Sequence, residues 1–269
     1  MITSGPQLLS YQTGNTFLHR LDPRAKLLGA AVIVAGVLLA GTPAAMVAAY
    51  ALGAVAGLLA RPLVPALART LRPLLVLIIV FGIIITFVTP GHALFRLGPV
   101  VFTRDGLDLG VRLGLQAFLI VYATSLLTLT TPPLSLAAAM EWVLGFLRWF
   151  KVPVHDIIAM VAIGLTFVPL LIGEVQKVIA AQRARGADLS IMSLMDEDSM
   201  GALMIPLLLA NLRRGEELAD SMEARLYGTG PRSSLIVWRW TRVDTLTSIL
   251  LLLGLGVILL LSFSALGKL

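Results

Sequence analysis

The chain has 269 residues, of which 58% are hydrophobic and 13% are charged, and its mean hydropathy is +0.92. Soluble domains carry about 25% charged residues, so the composition excludes a soluble protein and predicts an all-α polytopic membrane protein. The absence of cysteine excludes disulfides and thiolate metal sites. The formal charge of +6 fits either a nucleic-acid-binding protein or a membrane protein whose basic residues concentrate in the cytoplasm.

Charge-free intervals predict about five transmembrane helices, since one bilayer crossing needs about 20 apolar residues. The first interval, 27–60, is broken at Gly41-Thr42-Pro43 and predicts a helical hairpin. Its first arm is short and needs its interfacial flank to span fully. The other spans are predicted over residues 73–95, 107–130 and 243–261, and Pro132-Pro133 stops the fourth.

Two connecting segments carry patterns of their own. Segment 61–72 has a leucine at every fourth position and arginines at its ends, which predicts a helix in the membrane interface; its leucines are Leu63, Leu67 and Leu71. Between the third and fourth spans, the β-favouring run 100–103 and the Asp105-Gly106 turn predict a short hairpin or loop.

The basic residues predict the topology. With the N-terminus inside, 17 of the 21 lysines and arginines fall on the cytoplasmic side, so no nucleic-acid partner is needed to explain the charge. The chain is then a multi-pass protein of the cell membrane, in contact with the lipid bilayer. Its predicted segments are a cytoplasmic N-terminus (1–26), spans one to four with the interfacial helix (27–130), a cytoplasmic domain (131–242) and the last span (243–269).

The long segment 131–242 predicts amphipathic helices. Residues 157–173 and 201–212 lack charge and could each be an extra span. Both are at or below the lower length limit for a span and run on into charged helix, which favours long helices along or under the membrane. The turn Asp196-Glu197-Asp198 is interpreted as an acidic linker in water rather than a metal site.

The helices before and after this linker each have an apolar stripe, and we expect them to cross by these stripes. Gly186 is expected to cap the first helix and Gly228 to end the second. The stripes comprise Val168, Leu171, Ile172, Val175, Val178 and Ile179 on the first helix and Gly215, Leu218, Ala219, Met222 and Leu226 on the second. The residues expected to pack at the crossing are Val175, Ile179, Leu218 and Met222.

Each of these helices ends in an Ala-Arg pair. The first lies in Gln182-Arg183-Ala184-Arg185-Gly186, and the second, 40 positions later, in Met222-Glu223-Ala224-Arg225-Leu226-Tyr227-Gly228. A basic residue at a helix C-terminus complements the helix dipole by about 0.3 to 1 kcal/mol. That does not explain two such pairs on paired helices, whereas a guanidinium that binds carboxylates bidentately suits a partner with acidic grooves.

Together with two other stretches, these motifs resemble the transmembrane coupling (T) component of energy-coupling factor (ECF) transporters, a CbiQ-like family of ABC-type importers. The other stretches are Phe17-Leu18-His19-Arg20-Leu21-Asp22-Pro23-Arg24-Ala25-Lys26-Leu27 and Phe167-Val168-Pro169-Leu170. The resemblance covers nearly the whole chain. It implies a non-catalytic subunit, without cofactor or metal, that joins two cytoplasmic ABC ATPases to a small membrane substrate-binding (S) subunit for uptake of a vitamin or a transition-metal ion.

The resemblance also implies roles for single residues. Arg185 and Arg225 would each enter a groove on one ATPase, beside the docking residues Ala184, Gly186 and Ala224. ATP-driven closing of the ATPases would move the coupling helices and tilt the S subunit. The chain departs from the family at Leu226, where the second motif usually has glycine.

Other classes of function make different demands on the sequence. The chain lacks a phosphate-binding loop, a His-carboxylate cluster and a nucleophile with a base, which argues against an enzyme. A stand-alone secondary transporter predicts internal repeats and intramembrane polar residues, and neither is evident. A membrane-embedded lipid-modifying enzyme would use Asp196, Asp198 and the arginines on a headgroup.

Overall fold

The structure is a computed structural model that describes residues 17–59, 64–97, 100–186, 197–228 and 240–266. Nearly all of its elements are helices, which confirms the all-α class. In chain order they are α1 (Phe17–Arg20), α2 (Pro23–Leu39), α3 (Pro43–Leu59), α4 (Val64–Val88), β1 (Ala93–Leu97), β2 (Val100–Thr103), α5 (Arg104–Thr130), α6 (Pro133–Val143), a 3-10 helix (Leu144–Phe150), α7 (Val154–Ala184), α8 (Glu197–Ala224) and α9 (Arg242–Leu266).

The chain divides into two compact units, which are described separately. The first, residues 1–152 and 238–269, is here called the membrane unit, and the second, residues 153–237, is here called the coupling unit after the role that the resemblance implies. By length and composition, α4, α5, α7 and α9 each contain a stretch that can cross a membrane, and α3 is a shorter apolar helix. The multi-pass character is therefore supported by several independent helices.

The predicted helical hairpin is formed by α2 and α3. Asp22 is the N-cap of α2, its side chain accepts the amide hydrogen of Arg24, and the helix begins at Pro23, four residues before the start of the predicted arm. At the other end, the side chains of Arg112 and Gln116 in α5 donate to the carbonyl oxygens of Ala40 and Val37, at 2.9 and 3.2 Å. The first bond gives a partner to the Ala40 carbonyl at the helix end, and the second is added to the hydrogen bond that the Ala40 amide donates to the Val37 carbonyl.

Small residues allow the helices of the membrane unit to approach closely. One buried cluster joins four helices, with Ile33 and Val37 from α2, Ala45 and Ala49 from α3, Leu119 and Ala123 from α5, and Ile258 from α9. A second cluster joins α1, α4 and the end of α5 through Leu18, Leu67, Leu71, Leu126 and Leu129.

Helix α4 differs from the prediction of a separate interfacial helix over 61–72. It runs without a break from Val64 through Pro73 to Val88. Leu67 and Leu71 of the predicted interfacial stripe are buried against Leu126 and its neighbours. The leucines at every fourth position thus mark the face of α4 that packs against other helices of the protein, not a face that lies on the membrane. Leu63 lies outside the described residues.

The predicted hairpin between the third and fourth spans is confirmed. Strands β1 and β2 pair antiparallel, with Phe95 opposite Phe102 and Leu97 opposite Val100. The predicted Asp-Gly turn is wrong, because Asp105 and Gly106 lie in the first turn of α5. There the hydroxyl of Thr103, the N-cap of α5, accepts the Gly106 amide hydrogen at 3.2 Å.

Helices α4 and α5 pack through glycines at every fourth position of α5: Gly106, Gly110 and Gly114. A Cβ atom on Gly110 would lie 2.7 Å from the carbonyl oxygen of Gly82, and one on Gly114 would lie 3.3 Å from Ile78 Cγ2. Only glycine allows the backbones this close at position 110. This glycine spacing was not predicted from the sequence.

The coupling unit contains α7 and α8, two long helices with a proline inside each, Pro169 and Pro206. Because α7 has 31 residues, it is much longer than the charge-free interval 157–173 from which its span potential was judged. It therefore meets the same length criterion as the predicted spans. Its predicted position along or under the membrane stays a prediction.

Candidate functional site

The first Ala-Arg pair lies where α7 ends. Ala184 is the last helical residue, and the Arg185 amide donates to the carbonyl oxygens of Ala181 and Gln182, at 3.2 and 3.1 Å. Gly186 follows with a φ of +84° and donates to the Arg183 carbonyl oxygen at 3.0 Å. The predicted capping role of Gly186 is confirmed, since a left-handed residue just after the helix favours glycine.

The second pair lies in the same way where α8 ends. Ala224 is the last helical residue. Leu226 donates to the Glu223 carbonyl oxygen at 2.8 Å, and Tyr227 donates to that of Met222 at 2.9 Å. These two bonds form a Schellman motif. The helix thus ends four residues before Gly228, which was expected to end it.

The two ends are geometrically equivalent. In each, the arginine follows the last helical residue, and the next residue is left-handed: Gly186 in one case and Leu226, with a φ of +58°, in the other. Arg185 and Arg225 are both exposed, as are Ala184 and Ala224 beside them. Each end therefore presents a guanidinium group next to a small side chain, an arrangement that can bind a carboxylate bidentately.

Leu226 occupies the position where the backbone favours glycine. A non-glycine residue pays roughly 1 to 2 kcal/mol for the left-handed conformation, and the Leu226 side chain is 71% exposed. Leucine at this position therefore adds strain to the helix end and places an exposed apolar side chain next to Arg225.

We expect Leu226→Gly to stabilise the α8 end by about 1 kcal/mol and Gly186→Leu to destabilise the α7 end by about the same amount. Thermal unfolding of the purified protein in detergent measures both. Gly215→Leu is the matched control, because Gly215 is helical and a Cβ there meets nothing within 4 Å. If Gly186→Leu and Gly215→Leu lower the midpoint equally, backbone strain does not govern these ends.

The residues expected to pack at the crossing differ in burial. Ile179, Leu218 and Met222 are half-buried, whereas Val175 is exposed. The less exposed face of α8 also includes Arg214, whose guanidinium lies 3.9 Å from the Glu174 carboxylate of α7. This ion pair joins the two helices, and the packing roles of Val175, Ile179, Leu218 and Met222 at the crossing stay predictions.

The N-terminal stretch that carries part of the resemblance, 17–27, forms α1 and the first turn of α2. Leu18 is buried in the cluster at the end of α5. The backbone amide of Asp22 donates to Asp244 Oδ1 of α9 at 2.9 Å. This stretch therefore joins the N-terminal ends of two helices that are 222 positions apart.

Comparison with known proteins gives consistent matches. The family model CbiQ, described as cobalt transport protein, matches residues 14–235. The chain is 36% identical over 248 residues to the energy-coupling factor transporter transmembrane protein EcfT of Acidaminococcus fermentans, covering 90% of this chain and 91% of that protein. It is 36% identical over 255 residues to the EcfT of Streptococcus thermophilus, with 93% and 95% covered. The EcfT of Ruminiclostridium cellulolyticum is 33% identical over 240 residues, with 88% and 90% covered.

Proposed function

The chain belongs to the CbiQ family, described as cobalt transport proteins, and from this membership we propose that it is the coupling subunit of an ATP-driven importer of the energy-coupling factor type. The observation that carries the proposal is the equivalence of the two helix ends, each with one exposed arginine after the last helical residue. The subunit has no catalytic role of its own, and its sequence has no phosphate-binding loop.

In this proposal Arg185 and Arg225 each bind a carboxylate in a groove on one of two ABC ATPases. The capping hydrogen bonds fix the backbone of each arginine to its helix. A displacement of the bound guanidinium group therefore displaces α7 or α8 instead of deforming a loop. Closing of the ATPases around ATP then moves both helices. The supporting role of Ala184, Gly186 and Ala224 is to leave room for close docking.

The small membrane S subunit is proposed to bind the apolar surface of the coupling helices. Large exposed apolar patches mark interaction surfaces, and α7 and α8 expose many apolar side chains: Met160, Val161, Leu170, Val175, Met204, Ile205, Leu208, Leu209 and Leu212. The solute, a vitamin or a transition-metal ion, is then chosen by the S subunit. Motion of α7 and α8 would tilt that subunit in the bilayer.

Co-purification tests the function directly. A tagged chain extracted in mild detergent should bring down two subunits with phosphate-binding loops and one small hydrophobic protein, identified by mass spectrometry. A chain that purifies alone and transports in liposomes without ATP would be a secondary transporter, and the proposal would be wrong.

The proposed topology places the N-terminus and α8 in the cytoplasm, with the β1–β2 hairpin outside. Single cysteines in this cysteine-free chain, at the exposed positions His92 and Arg183, distinguish the alternatives with an impermeant thiol reagent on intact cells. We expect labelling of His92→Cys and none of Arg183→Cys. Labelling of Arg183→Cys from outside would show that α7 crosses the membrane, whether or not α8 crosses back.

A further inference from the structure

A buried polar cluster, here called the anchor, joins three helix ends of the membrane unit: Asp22, Lys26, Asp244 and the carbonyl group of Thr130. Asp244 is 1% exposed and Asp22 is 5% exposed. The Asp22 amide donates to Asp244 Oδ1 at 2.9 Å, so the N-terminal ends of α2 and α9 are bonded directly.

Asp244 also holds the residues that lead into α9. Its Oδ2 atom accepts hydrogen bonds from the Thr241 amide at 2.8 Å and from the Thr241 hydroxyl at 2.6 Å. The carboxylate lies in the first turn of α9, where a negative charge complements the helix dipole. One side chain therefore joins the start of α9 both to its preceding segment and to α2.

Lys26 adds the third helix end. Its ammonium group donates to the Thr130 carbonyl oxygen at 3.1 Å and to that of His19 at 3.4 Å. Thr130 is the last residue of α5, where a positive charge is favourable and carbonyl groups need partners. Lys26 precedes the apolar run of α2, and burial lowers its pKa to about 8 although Asp22 and Asp244 act to raise it.

Stability alone is a weak explanation for this cluster. Buried charges are costly to desolvate, and apolar packing of the same volume is often as stabilising. Asp22 Oδ2 and Arg24 Nε are buried without a hydrogen-bond partner among the described residues, which adds to the cost. The hydrogen bonds that the cluster does make fix the relative positions of the helix ends that it joins.

The position of the anchor in the chain indicates its use. Residues 153–237, the coupling unit, lie in sequence between α5 and α9. The anchor thus connects the C-terminal end of α5 to the N-terminal end of α9. In the sequence, α6 and the coupling unit lie between these two ends. Since α7 and α8 are proposed to move, forces on them reach the membrane unit along these two connections.

We propose that Asp22, Lys26 and Asp244 are positioning residues for coupling, which keep the end of α5 and the start of α9 in a fixed relation while the coupling helices move. Without the anchor, ATP-driven motion of the coupling helices would only displace these two helix ends and would not be transmitted to the rest of the membrane unit. This inference rests on the proposed coupling function.

The test uses the complete complex with its ATPases, with spin labels on cysteines introduced at Thr128 in α5 and Leu246 in α9. Both positions are exposed, and the chain has no other thiol. The distance distribution between the labels is measured without nucleotide and with ATP plus vanadate. With Lys26 intact, we expect one narrow distribution that is the same in both conditions.

Lys26→Met keeps the length of the side chain and removes its charge and its hydrogen bonds. The end of α5 then loses its hydrogen bond to α2, and the two carboxylates lose a nearby positive charge, so we expect ATP plus vanadate to widen the distribution roughly twofold. Lys26→Arg should restore most of the narrow distribution. Asp108→Asn, at an exposed carboxylate near the other end of α5, should change nothing.

The outcomes separate the inference from the proposed function. A narrow distribution in Lys26→Met with ATP plus vanadate, or a failure of Lys26→Arg to restore it, would overturn the anchor. If Lys26→Met does not fold, Thr241→Val serves as a second variant, because it removes the hydroxyl hydrogen bond to Asp244 without changing the charge. It should widen the distribution with ATP plus vanadate. An unchanged distribution in Thr241→Val would also overturn the anchor. Absence of ATPases from the purified wild-type complex would instead count against the proposed function.

Discussion

Replacing both Arg185 and Arg225 by alanine is expected to release the ATPase subunits and abolish ATP-dependent uptake, while solute still binds its own subunit. Truncating one member of a buried interfacial charge pair costs about 2 to 5 kcal/mol, a factor of roughly 30 to 5,000 in affinity. A role limited to the helix dipole predicts less than about 1 kcal/mol and no change in partner binding. Pull-down of the ATPases with the tagged chain measures the difference.

Arg183→Ala is the internal control for this experiment. Arg183 is also exposed near the end of α7, but two residues along a helix place its side chain about 200° around the axis from Arg185. The Arg183 variant should therefore retain the ATPases. Lysine at 185 and 225 should restore binding only in part, because an ammonium group cannot make the bidentate contact. Equal behaviour of Arg183→Ala and Arg185→Ala would refute the docking role.

Gly110→Val is expected to disrupt the packing of α4 on α5. The added Cβ would lie 2.7 Å from the Gly82 carbonyl oxygen, a backbone atom that moves only with its helix. Overpacking of this kind costs about 1 to 3 kcal/mol, equivalent to a drop of roughly 2 to 12 °C in the thermal unfolding midpoint. Unfolding of the purified protein in detergent, followed by circular dichroism, measures it.

Two other glycines make this a graded test. Gly114→Val should have a smaller effect, because the nearest atom to its Cβ, at 3.3 Å, belongs to the flexible side chain of Ile78. Gly256→Val in α9 should be nearly neutral, because a Cβ there meets nothing within 4 Å. If all three variants lower the midpoint equally, helix propensity rather than the close approach of α4 and α5 explains the loss.

Local sequence patterns predicted most helices well. Charge-free intervals marked α2, α3, α4, α5 and α9, because hydropathy and helix breakers act over neighbouring residues. The same reasoning failed at Pro73, where it expected a boundary. A proline can be accommodated within a helix when packing holds the turns before it, as the burial of Leu67 and Leu71 does here.

The candidate site was predicted in part. The arginines and Gly186 were placed correctly at the helix ends, because capping residues lie within a few positions of the last helical residue. The end of α8 was placed too late, at Gly228, because the sequence offered a glycine there and a leucine at the left-handed position. Conformational preference favours glycine at such a position but does not require it.

By itself the sequence determined the membrane character of the chain, its long amphipathic helices and the two Ala-Arg ends. These properties depend on composition and on residues within one or two helical turns of one another. Only the tertiary structure decided that Gly110 meets Gly82 and that Asp22 and Lys26 share a buried cluster with Asp244. Asp22 and Asp244 are 222 positions apart, and no local period relates residues so distant; only helix packing brings them together.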